Sequence, residues 1–423
     1  MQPGGPIRGA IRPPGSKSIT NRAMVCAALA DGSSVLDGAL DSEDTRLMAS
    51  ALGALGFAVR HDAAHSRLEI DGSSGRIPAP RAELFTGNSG TTMRFLTALV
   101  CLGHGVYRLD GAPRMRQRPI GDLLEALAQL GVEARCEGQG GCPPVVIRAS
   151  GLRGGRADVP GSTSSQFLSG LLLAAPAASG PVELVVSGAL VSQPYVAMTL
   201  SVMRAFGARA ECPSPQHFLV PGRQTYRACR YAVEPDASAA SYFFAAAAIT
   251  GGEVTVLGLS RESLQGDVAF CERLERMGCR VRYERDSITV AGGPLRGIET
   301  DMNAISDTVQ TLAAVALCAE GPTTITGVAH IRHKETDRLH ALSVELRKLG
   351  AEVEERPDGL RIVPRPLHGA EIDTYDDHRM AMSLALVGLV VPGVVIRQPS
   401  CTAKTYPRFF DDLEALRRGA GPT

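Results

Sequence analysis

The feature that most constrains this chain is an internal repeat. A helix ending in glycine runs into a β-rich stretch at Gly32, Gly105, Gly180, Gly251, Gly321 and Gly393, so the signal returns every 70 to 75 residues. A second signal keeps the same phase: an amphipathic helix closed by an apolar residue and glycine, at Leu55-Gly56, Leu130-Gly131, Phe206-Gly207, Met277-Gly278 and Leu349-Gly350. Glycine just past a helix end supplies a left-handed cap. Alternating runs follow, for example Ala351-Glu352-Val353-Glu354 and then Leu360-Arg361-Ile362-Val363, which read as a hairpin with one buried face. Such a period indicates repeated supersecondary units.

Each unit therefore reads helix, strand, amphipathic helix, hairpin. The first helix is almost uncharged, as in 167–175, 242–249 and 312–319, and is expected to be buried on all sides. The second carries a charged face, such as Glu345-Leu346-Arg347-Lys348, and belongs toward solvent. A chain of 423 residues exceeds one ordinary core and suits two domains of three units. The fold class expected is α/β: two similar domains, each of three repeated α/β units with buried helices covered by sheets. The expected boundaries are 14–230 for the first domain and 1–13 with 231–423 for the second, the changeover falling near Tyr226–Val233. The sixth unit stops after its helix, 409–418, and residues 6–12 are expected to complete its hairpin.

Polar residues concentrate immediately before the six buried helices. Pro14-Gly15-Ser16-Lys17-Ser18-Ile19-Thr20-Asn21-Arg22 packs hydroxyls, a lysine and an arginine into a helix start. Gly87-Asn88-Ser89-Gly90-Thr91-Thr92-Met93-Arg94, Gly161-Ser162-Thr163-Ser164-Ser165-Gln166, Asp301 to Asp307 and Asp376-Asp377-His378-Arg379 take the same place in later units. Glu234-Pro235-Asp236-Ala237-Ser238 reads as ordinary capping. Free backbone N–H groups at a helix start attract anions, and fixed cations strengthen the attraction. An arginine at the mouth of a buried helix, as at Arg22, Arg94 and Arg379, calls for an anionic partner. Further cations lie in Arg114-Met115-Arg116-Gln117-Arg118, His333-Lys334-Glu335-Thr336-Asp337-Arg338 and Ala403-Lys404-Thr405. Like units would aim these helix starts at one end of each domain, so the expected active site is an interdomain cleft that takes two or more anionic groups.

Composition narrows the alternatives. The 44 Lys and Arg balance the 44 Asp and Glu, which leaves no global basic field for nucleic acid. No apolar run reaches a membrane span, and the N-terminus lacks a signal-peptide core, so a cytoplasmic location is expected. Ten cysteines occur without C-x-x-C or zinc-like spacing and read as buried free thiols. No metal site is expected.

The polar stretches resemble the 5-enolpyruvylshikimate-3-phosphate synthase family of enolpyruvyl transferases. The resemblance rests on Pro14–Arg22, Gly87–Arg94, Arg114–Ile120, Ser164–Leu168, Val191–Tyr195, Asp301–Asp307, Lys334–Arg338, Asp376–Met380 and Cys401–Pro407, in the family's order over nearly the whole chain. It implies a two-domain monomer without cofactor that transfers enolpyruvyl from phosphoenolpyruvate to shikimate 3-phosphate. Shikimate 3-phosphate would meet Lys17, Ser18, Arg22, Ser164, Ser165, Gln166, Ser192, Asp307 and Lys334. Phosphoenolpyruvate would meet Lys17, Gly90, Arg118, Gln166, Arg338, Arg379 and Lys404. Lys17, Asp307 and Glu335 would carry proton transfer. The herbicide glyphosate would occupy the phosphoenolpyruvate subsite. One departure is His330, where the family often has asparagine. The alternative acceptor is a UDP-linked amino sugar, UDP-N-acetylglucosamine; that sister enzyme relies on a loop cysteine, and Arg114–Pro119 offers none.

Overall fold

The structure, a computed structural model, describes residues 3–419. The chain divides into two compact units: Gly15–Val233, and Met1–Pro14 together with Glu234–Thr423. No helix among the described residues is long and apolar enough to cross a membrane.

One plan recurs. Strand Arg81–Phe85 leads to the buried helix Gly90–Leu99, which returns to strand His104–Asp110, parallel to the first. The amphipathic helix Gly121–Gln129 follows, then the hairpin Glu133–Cys136 and Val145–Ser150, whose second strand runs antiparallel to His104–Asp110. Among the described residues, five four-stranded sheets share this order. The glycines closing the amphipathic helices, at 56, 131, 207, 278 and 350, all have positive φ.

The sequence expectation for the N-terminal strand is corrected. Residues Arg8–Ile11 do not complete the sixth unit; they pair in parallel with Glu253–Leu257. Strand Arg230–Ala232, which precedes helix Ala237–Thr250, pairs instead with Ser33–Asp37. The leading strands of the first and fourth repeats are thus exchanged. The reason is edge satisfaction. With Arg230–Ala232 used by Ser33–Asp37, Glu253–Leu257 presents an open edge, and Arg8–Ile11 fills it while Ile7 and Ile11 enter the core. The sixth repeat has only the two-residue pair Glu371–Ile372 and Val395–Ile396, too short to template a hairpin.

The largely apolar first helices of the repeats occupy the centre of each unit. Every residue of Gly90–Leu99, Val309–Ala316 and His378–Ala385 is buried, and so is Ala237 to Ala248. Small residues permit this. A Cβ on Gly170 would stand 3.0 Å from the Arg94 carbonyl, so glycine lets helix Ser165–Ala174 lie against Gly90–Leu99. In the other unit a hydroxyl chain, Ser241 to Thr311 at 3.0 Å and Thr311 to Ser383 at 3.3 Å, ties its three buried helices together. Not every cysteine is interior: Cys212 is exposed.

Candidate active site

In the unit Gly15–Val233 the helix starts carry the polar groups. Ser16 caps helix Lys17–Leu29 by accepting from the Ile19 amide. Lys17, its first residue, pairs with the buried Asp44 at 3.1 Å. Arg22, one turn on, is buried and among the described residues pairs with no carboxylate. Its Nε donates to Thr199 Oγ1 at 2.7 Å, Nη1 to the Ser18 carbonyl at 2.9 Å and Nη2 to the Tyr195 carbonyl at 3.1 Å. The guanidinium also lies 5.1 Å from the Phe95 ring centre. Burial lowers the Arg22 pKa to about 10. A buried cation held by neutral acceptors favours an incoming anion, because the anion adds Coulomb energy after desolvation has already been paid.

Beside it, Ser89 caps helix Gly90–Leu99 by accepting from the Thr92 amide. Arg118 turns inward and Nη1 donates to the Asn88 carbonyl at 2.9 Å and to Asn88 Oδ1 at 3.2 Å. Gly90 sits against this guanidinium, and it opens the helix; the positive φ of the loop belongs to Gly87. Arg94 donates to the Pro119 carbonyl at 3.0 Å and lies over Phe167. Ser164 caps helix Ser165–Ala174 through the Gln166 amide at 3.2 Å, and the Gln166 side chain reaches Thr91 at 3.4 Å. Ser192, buried and at φ 52, precedes helix Gln193–Ala205, whose Thr199 holds Arg22. Of the three arginines in Arg114–Arg118, Arg116 is exposed and paired with Asp110.

The unit containing Glu234–Thr423 gathers charges of both signs. Arg338 begins helix Arg338–Lys348 and is fully buried. It donates to Asp377 at 2.8 Å, to Glu335 at 2.8 Å and to Asp307 at 3.3 Å. Burial pulls its pKa down, but Asp377, Glu335 and Asp307 outweigh burial and hold it above its ordinary value. Arg379 donates to Asp307 at 2.7 Å and to the Tyr242 hydroxyl at 3.4 Å. Lys334 stands 4.0 Å from Asp307. Asp307 therefore sits at a junction of Arg338, Arg379 and Lys334. Lys404 is buried in the short helical segment Pro399–Lys404, which packs on helix His378–Ala385. Burial, followed by the charge of Lys334, lowers the His330 pKa to about 3, so its imidazole is neutral.

Partners of these residues escaped sequence reasoning. Asp377 accepts from Arg338 and also caps helix His378–Ala385 through the Arg379 amide at 2.9 Å. Its place in Asp376–Arg379 was a usable signal. Asp44 and Thr199 gave none, because each lies on an amphipathic helix and meets its cation only in three dimensions.

The sequence as a whole matches one family model, EPSP synthase (3-phosphoshikimate 1-carboxyvinyltransferase), over residues 1–413. The chain belongs to the EPSP synthase family. It is similar to a 3-phosphoshikimate 1-carboxyvinyltransferase of Nostoc punctiforme, with 49% identity over 97% of each chain. The chloroplastic enzyme of that name from Arabidopsis thaliana is 48% identical, covering 99% of this chain and 84% of the relative. Among solved structures, the EPSP synthase of Acinetobacter baumannii aligns with a TM-score of 0.82 and 27% identity over 100% of this chain and 97% of that one. The repeated α/β architecture is the fold of EPSP synthases.

Proposed function

We propose that this chain transfers the enolpyruvyl group of phosphoenolpyruvate to the 5-hydroxyl of shikimate 3-phosphate and releases phosphate. Membership of the EPSP synthase family carries this reading. The reaction belongs to the shikimate pathway of aromatic amino acid biosynthesis. The acceptor hydroxyl loses its proton and attacks C2 of phosphoenolpyruvate while C3 gains a proton. In the second half C3 gives a proton up as the C–O bond to phosphate breaks, which restores the C=C bond and releases phosphate. Such chemistry needs a base for the hydroxyl, an acid for the methylene carbon and cations on the departing phosphate.

The residue roles are those that the family resemblance implies. Asp307 is the base or hydroxyl-orienting carboxylate, poised by Arg379 and Lys334. Glu335 and Lys17 are the proton-transfer pair. Arg22, Ser18, Ser164, Ser165, Gln166, Ser192 and Lys334 bind shikimate 3-phosphate. Gly90, Arg118, Arg338, Arg379 and Lys404 serve phosphoenolpyruvate, with Lys17 and Gln166 shared. Guanidinium forks suit two-point binding of phosphate and carboxylate. The chain is proposed to act as a monomer located in the cytoplasm. The boundaries read from the repeat, 14–230 and 1–13 with 231–423, are proposed as the functional domains.

The test is phosphate release from phosphoenolpyruvate with shikimate 3-phosphate, run beside the same assay with UDP-N-acetylglucosamine. Release only with shikimate 3-phosphate is expected. Release only with the amino sugar would overturn the assignment.

A further inference from the structure

Three loops of the unit Gly15–Val233 converge on one residue type. Arg76 follows the hairpin strand Arg67–Asp71, Arg153 follows Val145–Ser150, and Arg223 follows His217–Val220. These strands close the hairpins of three successive repeats, and the three arginines line one cavity of about 370 Å³ together with His104. That volume falls in the range of small-molecule sites.

The cavity lies at the far ends of the buried helices. Backbone amides of Ser73, Ser74 and Gly75 donate to the carbonyls of Ala28, Ala30 and Leu29, at the end of helix Lys17–Leu29. Arg223 and Gln224 likewise donate to Ala178 and Pro176, beyond helix Ser165–Ala174. Lys17 and Ser165 begin those helices. At 1.5 Å per residue, a 13-residue helix puts the cavity about 20 Å from the polar groups at its start.

A helix C-terminus attracts cations, which gives these arginines a bland explanation. It is insufficient here. The terminal carbonyls just named already accept backbone amides. Among the described residues, of the three arginine side chains only that of Arg223 donates to a protein carbonyl, Nε to Ser179 at 2.7 Å. Among the described residues none of the three arginines is ion-paired, and no Asp or Glu lines the cavity. One carboxylate stands behind it, Asp31, which accepts from Ser74 at 2.9 Å. The lining itself carries three arginines and no carboxylate. Nor does the repeat impose the cluster, since in the other unit Arg365 follows a hairpin strand and is neutralised by Glu352 at 2.7 Å.

We propose that this cavity binds a small polyanion, a molecule carrying two or more phosphate or carboxylate groups, separately from the substrate constellation. Three guanidinium forks on three loops can grip two or three anionic groups at once. The apolar side chains of Leu102, Leu152 and Ala177 limit its water and its size. Because the arginines are exposed, salt should weaken binding.

The full-length chain is titrated calorimetrically at low salt with pyrophosphate and, separately, with citrate. At least one probe should bind, and the preferred one tells phosphate from carboxylate chemistry. The triple variant Arg76→Gln/Arg153→Gln/Arg223→Gln should bind that probe at least ~10-fold more weakly, because charge-assisted bonds are lost. The single variant Arg153→Glu should weaken it in the same direction. Circular dichroism and the enolpyruvyl transfer rate should be unchanged in both. Binding should persist in Arg118→Gln, which damages the substrate constellation. Three results would each overturn the proposal: no binding by the parent chain, unchanged binding in the triple variant, or loss in Arg118→Gln alone.

Discussion

Gly90→Ala is the sharpest single perturbation of the candidate site. The new Cβ would fall against Arg118 Nη2, 3.0 Å from Arg118 Cζ and 2.6 Å from Arg94 Nη1. Backbone strain is not involved, because Gly90 is not among the glycines with positive φ. The side chains must therefore give way. Carbon contacts settle near 3.5–4.0 Å, so the Arg118 guanidinium has to retreat by about 1 Å. Its bonds to Asn88, at 2.9 and 3.2 Å, oppose that movement. Overpacking of this kind costs roughly 1–3 kcal/mol. Where the cost appears in ligand affinity, it amounts to about 5- to 150-fold at ~1.4 kcal/mol per decade. Phosphoenolpyruvate should lose part of this, and the longer glyphosate more. Steady-state assays of both proteins give KM for phosphoenolpyruvate and the inhibition constant for glyphosate, which should be competitive with it. Thermal melts run alongside detect any part of the cost that falls on folding. An unchanged glyphosate constant in a folded Gly90→Ala protein would refute the reasoning, because Arg118 would then not be a ligand-facing group. A resistant parent chain would remove glyphosate sensitivity while leaving the transferase reading in place.

Asp307→Ala and Glu335→Gln should each lower turnover by ~10²–10⁴-fold, with shikimate 3-phosphate affinity changing less for Glu335→Gln; near-normal rates in both would remove the proton-transfer roles. Asp377→Ala takes one of three carboxylates from the buried Arg338, leaving Glu335 and Asp307, and should destabilise by about 1.5–3 kcal/mol, read as a lowered urea midpoint. His330 titrates near 6.5 unfolded and about 3 folded, so the stability from keeping it neutral is complete above pH 6.5 and is lost as pH falls toward 3. Urea midpoints of the parent chain and His330→Asn should run parallel above pH 6.5 and diverge below it, the parent falling faster; parallel curves at pH 5 would contradict this.

Much of the architecture was written locally. The glycine closing each amphipathic helix, the uncharged run before it and the alternating hairpin after it are short-range signals, and they survive as five sheets of one order. One helix cap is read directly, Asp236 in Glu234–Ser238, and it accepts from the Ala239 amide; Ser16, Ser89, Ser164 and Asp377 stand in the polar stretches that the sequence marks and accept from an amide two or three residues on. Capping is a contact between near neighbours in the chain, so spacing alone reveals it.

Other features depend on which segments meet. Sequence reading assigns residues 6–12 to the sixth hairpin and Tyr226–Val233 to the domain changeover, because spacing does not say which sheet either segment joins. Arg8–Ile11 and Arg230–Ala232 are exchanged because only the assembled sheets reveal which edge is open. Arginine partners divide in the same way. Arg22 and Arg338 both sit at helix starts within polar stretches, and spacing treats them alike. Packing gives Arg338 three carboxylates and leaves Arg22 with hydroxyls, carbonyls and aromatic rings. Sequence by itself determined the repeat, the elements and the positions of the caps, because those follow from interactions a few residues apart. Tertiary structure alone decided the strand exchange and which cations are neutralised, because a sheet edge and a buried charge are each satisfied by whatever the fold brings within about 3 Å.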